Sequence, residues 1–313
     1  MADVVVVGGG PAGLSATLNL ARALVDAVLV DASRPRNAAT LRSHGFLTRD
    51  GIRPTELRAL AKAELAAYDN VEQVERRSVV SLRRNGDGFT VDIAGRGPGE
   101  DRSVETSAVL LTSGLTETVP GVPSIRAFYG MSVFSCVACD AWDLRGKALA
   151  LIGETPDIAR RAVHLARWTD DLTVFTNAAP VVTEPEETAL AALGIRVERG
   201  AVADLDGERG AVHSVLLQDG RSFPIDGGFV RPRWHVATDF LGGLHPHRSD
   251  DGFLVTDDGG RTSVPGLYAA GDVVAPGPQQ MIIAAGNGAR AAATIVDDLP
   301  SARVARRPLT ELA

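Results

Sequence analysis

The chain has 313 residues, of which 45% are hydrophobic, and carries a formal net charge of −7. This length is sufficient for two hydrophobic cores, so we predict two domains. An acidic chain without a Lys/Arg run between aromatic residues excludes nucleic acid as an expected partner. The sequence contains neither a basic and apolar leader nor an apolar run of about 18 residues, so we expect a cytoplasmic protein without membrane contact.

The N-terminal sequence ADVVVVGGGPAGLSATLNLARALVDAVLVDAS predicts a βαβ unit. Its run of valines suits a buried parallel strand, apolar residues then recur at helical spacing, and a second strand follows at 27–30. The GxGxxG glycines between strand and helix permit a tight turn, close approach of a pyrophosphate and close helix packing, and an acid at the end of the second strand can bind a ribose hydroxyl. The cofactor-binding residues expected here are Gly8, Gly10, Pro11, Ala12, Gly13 and Asp31.

The following segment, SRPRNAATLRSHGFLTRDGIRP at 33–54, has no clear periodicity. A loop of this length in a compact domain is usually a binding loop. His44 is the histidine on this loop that could face a cofactor and a substrate. Because histidine titrates and hydrogen-bonds readily in either setting, a purely structural loop histidine is an equally good interpretation.

The only two cysteines, Cys136 and Cys139, are separated by two residues and followed at once by Asp140. Such a pair can be a redox couple, half of a zinc site or a structural turn. The six histidines provide only one close pair, so we expect no metal site. Ser135 is a good N-cap, which would place Cys136 in the first turn of a short helix, where the backbone dipole favours a thiolate. In a reducing compartment this pair is best interpreted as a redox couple.

Residues 149–177, LALIGETPDIARRAVHLARWTDDLTVFTN, predict a second βαβ unit with a damaged glycine turn. Thr155 and Ile158 stand where the second and third glycines would be, and Pro156 removes a backbone N–H from the turn. After the strand at 172–175, residues 176–180 provide no arginine for a 2′-phosphate. NADPH binding is therefore doubtful. Three arginines on the intervening helix are interpreted as a solvated face: Arg160, Arg161 and Arg167.

Two further segments complete the pattern. AVLLTSGLTETVPGVP at 108–123 contains a strand and a turn, and in TSVPGLYAAGDVVAPGPQQMIIAAGNGARAAATIV at 262–296 a short strand at 267–270 runs into Gly-Asp. An Ala-rich helix then begins near Gln279 or Gln280. These segments resemble the remaining FAD signatures of flavoproteins with two dinucleotide-binding domains, and that resemblance implies further cofactor contacts from Asn37, Ser113, Gly114, Gly271, Asp272 and Gln280.

Together these motifs resemble the low-molecular-weight thioredoxin reductase family, whose CxxC-Asp segment is similar to SCVACD here. The resemblance covers nearly the whole chain and implies an α/β fold of two Rossmann-like dinucleotide-binding domains. Residues 1–115 and 236–313 would form a discontinuous FAD-binding domain, and residues 116–235 an inserted, degenerate NAD(P)-binding-like domain that carries the CxxC. It also implies FAD as the cofactor and a homodimer.

By this resemblance Cys139 is the sulfur nearest the flavin, Cys136 is the interchange thiol and Asp140 is the acid/base. The alternative for Asp140 is a carboxylate that only stabilises the helix dipole. The 33–54 loop is similar to that of the flavin-dependent dithiol oxidases, which close disulfides in small natural products such as gliotoxin and holomycin and pass electrons to oxygen. Those proteins commonly have histidine after the second cysteine, where this chain has Asp140.

Three functions stay open on the sequence. The first is oxidation of a small-molecule dithiol with oxygen as the acceptor. The second is reduction of a thioredoxin-like protein with an unusual donor, such as ferredoxin or NADH. The third is a flavin-bound redox sensor or binding protein with little turnover.

Overall fold

The computed structural model describes residues 2–95, 97, 99–274 and 277–299 and has a mixed α/β fold. The strands are β1 (Ala2–Val7), β2 (Ala27–Asp31), β3 (Val71–Glu75), β4 (Val79–Asn85), β5 (Gly88–Ile93), β6 (Arg102–Leu111), β7 (Leu115–Thr118), β8 (Val133–Phe134), β9 (Leu149–Gly153), β10 (Leu172–Phe175), β11 (Arg196–Glu198), β12 (Val202–Glu208), β13 (Ala211–Leu217), β14 (Ser222–Pro224), β15 (Gly227–Arg231), β16 (Arg233–Val236) and β17 (Leu267–Ala269). The helices are α1 (Pro11–Arg22), α2 (Pro54–Leu65), α3 (Ile125–Phe128), α4 (Val137–Asp140), α5 (Ile158–Leu165), α6 (Glu184–Ala192) and α7 (Met281–Asp298).

The first sheet is centred on β1, which pairs in parallel with β2 and β6. Its strand order is β3-β2-β1-β6-β5-β4, and β17 also pairs in parallel with β6. Val4 and Val6 pack on the side of α1 and α7, whereas Val5 packs on the other side against the β4–β5 hairpin. Both faces of β1 are therefore covered, which explains why its sequence is continuously apolar rather than alternating.

The second sheet is formed by residues between 133 and 231 and has the order β11-β10-β9-β15-β8. All of its strand pairs are parallel. Helices α5 and α6 cover one face, and the antiparallel strands β12, β13 and β14 pack on the other. The parallel strands of these two sheets confirm the predicted fold class, and in the first sheet β5 also pairs in antiparallel register with β4 and β6.

Strands β7 and β16 connect the two sheets and pair with each other in antiparallel register. The chain leaves the first sheet through β7 and returns to it through β16. The domain boundaries expected at 115/116 and 235/236 lie in these strands, and the division into domains stays a prediction. The last part of the expected 236–313 segment lies outside the described residues. Within the described part of the chain, no helix combines the length and the apolarity that are needed to cross a membrane.

Candidate redox site

Cys136 and Cys139 form a disulfide at the start of the single helical turn α4. Cys136 itself is the N-cap residue of α4, and its carbonyl accepts hydrogen bonds from the N–H groups of Cys139 and Asp140 at 3.2 and 3.1 Å. The prediction that Ser135 caps this helix is wrong. Its hydroxyl is instead hydrogen-bonded to the Tyr129 hydroxyl at 2.9 Å, so it does not contact the helix backbone.

The disulfide opens into a cleft between the loop that follows β2 and the segment around α4. The two walls approach closely at Gly130, where a Cβ atom would lie 2.1 Å from the carbonyl oxygen of Ala39. Five of the predicted catalytic and cofactor-binding residues line this cleft: Asn37, His44, Cys136, Cys139 and Asp140. The structure therefore brings together residues that are about 100 positions apart in the chain.

Asp140 is the half-buried acid of the cleft. Burial raises the pKa of its carboxyl to about 7, the charge of His44 opposes this rise, and the negative charge of Asp143 adds to it. A carboxyl with this pKa gains and loses a proton near neutral pH, as an acid/base partner of a thiol must do.

His44 lies across the cleft between two carboxylates. Its Nε2 atom is 3.3 Å from Oδ2 of Asp143, and its Nδ1 atom is 3.5 Å from Oδ2 of Asp50. The His44 side chain is only 20% exposed, whereas those of Asp50 and Asp143 are 70% and 55% exposed. The loop histidine thus contacts the segment that carries the disulfide.

The N-terminal glycine turn has an open side. A Cβ atom at Gly8 would lie 2.3 Å from the Thr112 carbonyl oxygen, and one at Gly13 would lie 1.8 Å from the Gly8 carbonyl oxygen. A Cβ atom at Gly10 would have no neighbour within 4 Å. Gly8 and Gly13 are therefore required for packing, whereas Gly10 leaves its backbone accessible to a pyrophosphate, as the motif demands.

Other parts of this region also fit a dinucleotide. Pro11 is the first residue of α1, and Ala12 is buried against Gly288 of α7. The Ser113 hydroxyl is buried and has no hydrogen-bond partner within the described residues, which matches a site for a polar ligand group. Gly114 has a φ of +68°, and a Cβ atom there would have no neighbour within 4 Å.

The remaining expected contacts lie at the start of α7 and beside it. Gln280 is the N-cap residue of α7, as predicted from the sequence, and Nδ2 of Asn37 lies 3.1 Å from Sδ of Met281. Gly271 has a φ of +77° and precedes Asp272 in a short 3₁₀ turn. These residues thus lie around the end of the first sheet where the glycine turn is open.

Each of the two carboxylates expected to bind FAD is also paired with an arginine or lysine. Asp31 forms ion pairs with Arg58 at 2.6 Å and Lys62 at 2.9 Å. Although burial opposes ionisation, hydrogen bonds from Lys62 and Ser33 hold the pKa of Asp31 below its usual value. Asp272 accepts a hydrogen bond from Arg36 at 2.9 Å.

Sequence reasoning missed these basic residues and Asp143. Arg58 and Lys62 are four positions apart in α2, so both lie on one helix face, and that spacing could have indicated a shared anionic partner. No comparable pattern marks Arg36 or Asp143.

The glycine turn of the second sheet is closed by its own side chains. Ile158 at the third position packs against Gly153, as Gly13 packs against Gly8 in the first turn, whereas Thr155 stands where the first turn has the open Gly10. Asp157 accepts hydrogen bonds from the Thr155 hydroxyl at 2.7 Å and from Arg231 at 3.0 Å. Although burial opposes ionisation, the arginine and threonine bonds hold the pKa of Asp157 well below its usual range.

A second carboxylate and the helix arginines belong to the same turn. Glu154 accepts a hydrogen bond from Nδ2 of Asn177 at 2.7 Å. The predicted solvated face is correct for Arg160, whose side chain is 82% exposed, and for Arg167, which is also exposed. It is wrong for Arg161, which is 29% exposed because it donates to Asp157 at 2.9 Å.

A disulfide that shares a cleft with an acid of near-neutral pKa, next to an open dinucleotide turn, defines an FAD-dependent disulfide oxidoreductase. The chain belongs to the family described as pyridine nucleotide-disulphide oxidoreductase, whose profile matches residues 2–288. Membership of this family implies flavin binding and confirms the resemblance to thioredoxin reductases.

Individual relatives agree. The thioredoxin reductase of Treponema pallidum is 29% identical over 95% of this chain and 98% of that protein. An oxidoreductase from Agrobacterium tumefaciens is 33% identical, with a TM-score of 0.84 over 94% of this chain and 97% of that one. HlmI is 32% identical, with a TM-score of 0.89 over 100% of this chain and 98% of that one. Alignment with thioredoxin reductase tcpT of Claviceps purpurea, at 30% identity, covers only 53% of this chain and 51% of that relative.

Proposed function

We propose that this protein oxidises a small-molecule dithiol to a disulfide through the Cys136–Cys139 pair and FAD, with oxygen as the final electron acceptor. The observation that carries the proposal is the closed second glycine turn. In a reductase driven by NADPH this turn would hold the pyrophosphate of the nucleotide. Here the carboxylates of Glu154 and Asp157 lie in the turn, and both are hydrogen-bonded by the protein itself.

The arginines at this turn are already paired with its carboxylates, Arg161 and Arg231 with Asp157 and Arg233 with Glu154. A phosphate would have to displace these carboxylates to reach a guanidinium, because an unpaired carboxylate about 4 Å away would repel it by about 4 kcal/mol at an effective dielectric constant of 20. Pro156 also removes one backbone donor. Electrons therefore enter at the disulfide rather than through the second sheet.

The chemistry at the disulfide is two thiol–disulfide exchanges. A substrate thiolate attacks Sγ of Cys136, the Cys136–Cys139 bond breaks, and Cys139 leaves as a thiolate. The second substrate thiolate then attacks the substrate sulfur of the mixed disulfide, which releases the substrate disulfide and the Cys136 thiolate. Two electrons pass to the cysteine pair, and Asp140 carries the thiol protons between substrate and cysteine sulfurs. FAD, when bound, supplies a two-electron acceptor that oxygen can reoxidise with formation of hydrogen peroxide.

The second candidate is reduction of a thioredoxin-like protein by electrons from ferredoxin or NADH. Exposed apolar side chains near the cleft favour it, because they could contact a protein partner. Leu41 and Leu47 on the His44 loop are 63% and 80% exposed, and Trp142, two residues after Asp140, is 65% exposed. Relatives that carry the name thioredoxin reductase also support this candidate.

Stopped-flow spectroscopy tests the proposal. The FAD-loaded protein is mixed without oxygen with NADPH, NADH or dithiothreitol, and flavin absorbance is followed. We expect rapid bleaching by dithiothreitol, negligible bleaching by NADPH at physiological concentrations, and oxygen consumption in step with dithiol turnover in air. Rapid, saturable bleaching by micromolar NADPH would contradict the proposal and support an ordinary thioredoxin reductase. We also propose a homodimer, which light scattering measures directly.

A further inference from the structure

The contacts of His44 differ at its two ring nitrogens. Asp50, near Nδ1, belongs to the same loop, and its Oδ1 atom also accepts a hydrogen bond from the Gly45 N–H at 2.8 Å. Asp50 can therefore fix the His44 ring only relative to their own loop. Asp143, near Nε2, belongs to the segment that follows α4, three residues after Asp140. Of these two carboxylates, only Asp143 can fix the imidazole relative to the disulfide.

We propose that Asp143 is a positioning residue that holds the His44 imidazole across the cleft from the redox pair, so that the charge of His44 acts on Asp140 during the thiol exchange. This inference rests on the proposed function, because it assigns a role in the thiol exchange at Cys136 and Cys139. The contact between His44 and Asp143 also brings an imidazole to the cleft of the cysteine pair from a different part of the chain. The related dithiol oxidases commonly have a histidine directly after the second cysteine, where this chain has an acid.

The physical reason is that an electrostatic interaction weakens as the distance between the charges grows. An imidazole that moved out of the cleft would lose its effect on Asp140, whereas a carboxylate partner on the disulfide segment keeps the ring in place. Both ring nitrogens of His44 face carboxylates, Nε2 that of Asp143 and Nδ1 that of Asp50. The opposite charges of His44 and Asp140 couple the two groups electrostatically, since His44 favours the ionised form of Asp140.

Other charged and titratable groups face the same cleft and must be considered. Arg36 and Arg42 lie on the loop of His44, and Tyr129 precedes β8. Arg36 is engaged by Asp272, and the Tyr129 hydroxyl donates to Glu117 at 2.6 Å. Neither of these two has a contact with His44 among the described residues, which leaves Asp50 and Asp143 as its ion-pair partners there.

A double-mutant cycle with a matched control tests the inference. We expect Asp143→Ala to slow anaerobic flavin reduction by dithiothreitol about tenfold, His44→Gln to slow it at least as much, and the double variant to be no slower than His44→Gln. Asp50→Ala, which removes the carboxylate at the other ring nitrogen, should change the rate by less than about twofold. A purely structural role for Asp143 predicts additive effects. Additivity, or a larger effect of Asp50→Ala, would overturn the inference.

A second measurement does not depend on turnover. Imidazole ¹H–¹⁵N spectra of the FAD-loaded disulfide form, assigned with the His44→Gln variant, report which ring nitrogen of His44 is protonated. We expect Asp143→Ala to change the His44 signals, Asp143→Glu to restore them in part and Asp50→Ala to leave Nε2 protonated. If no dithiol reduces the flavin of the parent protein, the proposed function is wrong. Unchanged His44 signals in Asp143→Ala would refute the positioning role, whatever the outcome for the proposed function.

Discussion

Replacing Asp140 with Asn should stabilise the protein above neutral pH while impairing its thiol chemistry. Burial raises the pKa of this carboxyl from 3.8 to about 7 in the folded state. The folded state therefore binds the proton more tightly than the unfolded state does. The favourable contribution of the protonated carboxyl is fully present below pH 3.8 and is lost as pH rises through 7. Asparagine stays neutral, so the variant does not incur this loss.

The size of the expected stability difference follows from the pH interval over which the Asp140 carboxyl loses its proton. One pKa unit corresponds to about 1.36 kcal/mol, and about two units separate pH 5 from the folded-state pKa. The gain in unfolding free energy of Asp140→Asn over the parent should therefore be about 2–3 kcal/mol larger at pH 8 than at pH 5. At pH 8 the variant should also reduce its flavin with dithiothreitol about 100-fold more slowly, because the proton acceptor is missing.

Urea unfolding of the FAD-loaded protein at pH 5 and pH 8 measures this difference. Asp170→Asn, which removes an exposed carboxylate, is the matched control. A stability difference for Asp140→Asn that is the same at both pH values would refute the argument that partial burial raises the pKa of Asp140.

The remaining predictions concern the cysteines, the flavin site and the closed turn. Cys136→Ser should leave a Cys139 thiolate that gives a long-wavelength charge-transfer band with the flavin, and Cys139→Ser should not; the reverse would exchange the two roles. Asp272→Ala should raise the Kd for FAD by roughly 10- to 100-fold through loss of a charged hydrogen bond, and unchanged retention of yellow colour would contradict that assignment. Asp157→Asn should lower the unfolding free energy by about 1–3 kcal/mol, because Arg161 and Arg231 lose their shared carboxylate, and a neutral effect in thermal unfolding would contradict this role.

Features of the fold that depend on local sequence could be predicted. The βαβ unit, the strand at 172–175 and the start of α7 at Met281 all follow from periodicity, glycine positions and breaks in apolar runs. The one local prediction that fails at the redox site is the capping role of Ser135. Ser135 has the right residue type, but Tyr129 engages its hydroxyl, and no sequence pattern reveals such a competitor.

Contacts between distant segments could not be predicted in the same way. The sequence marked His44, Cys136, Cys139 and Asp140 by residue type and by resemblance, and the structure brings all four to one cleft. Neither residue type nor resemblance pointed to Asp143, because its role depends on a contact with a residue 99 positions earlier in the chain. Likewise, Arg161 fits a solvated helix face until Asp157 is placed beside it.

The two glycine turns of this chain explain the proposed direction of electron flow. Both follow a parallel strand and precede a helix, so the fold alone would allow a nucleotide at either turn. At the first turn, nothing lies within 4 Å of a Cβ atom placed at Gly10, and the backbone is open to a phosphate. At the second, Thr155 stands in place of the open second glycine, and Asp157, which is hydrogen-bonded by Thr155 and Arg231, provides a carboxylate where a phosphate would have to bind. The proposed function follows from this difference: FAD would bind at the first turn, a nicotinamide donor would bind poorly at the second, and electrons would enter at the disulfide.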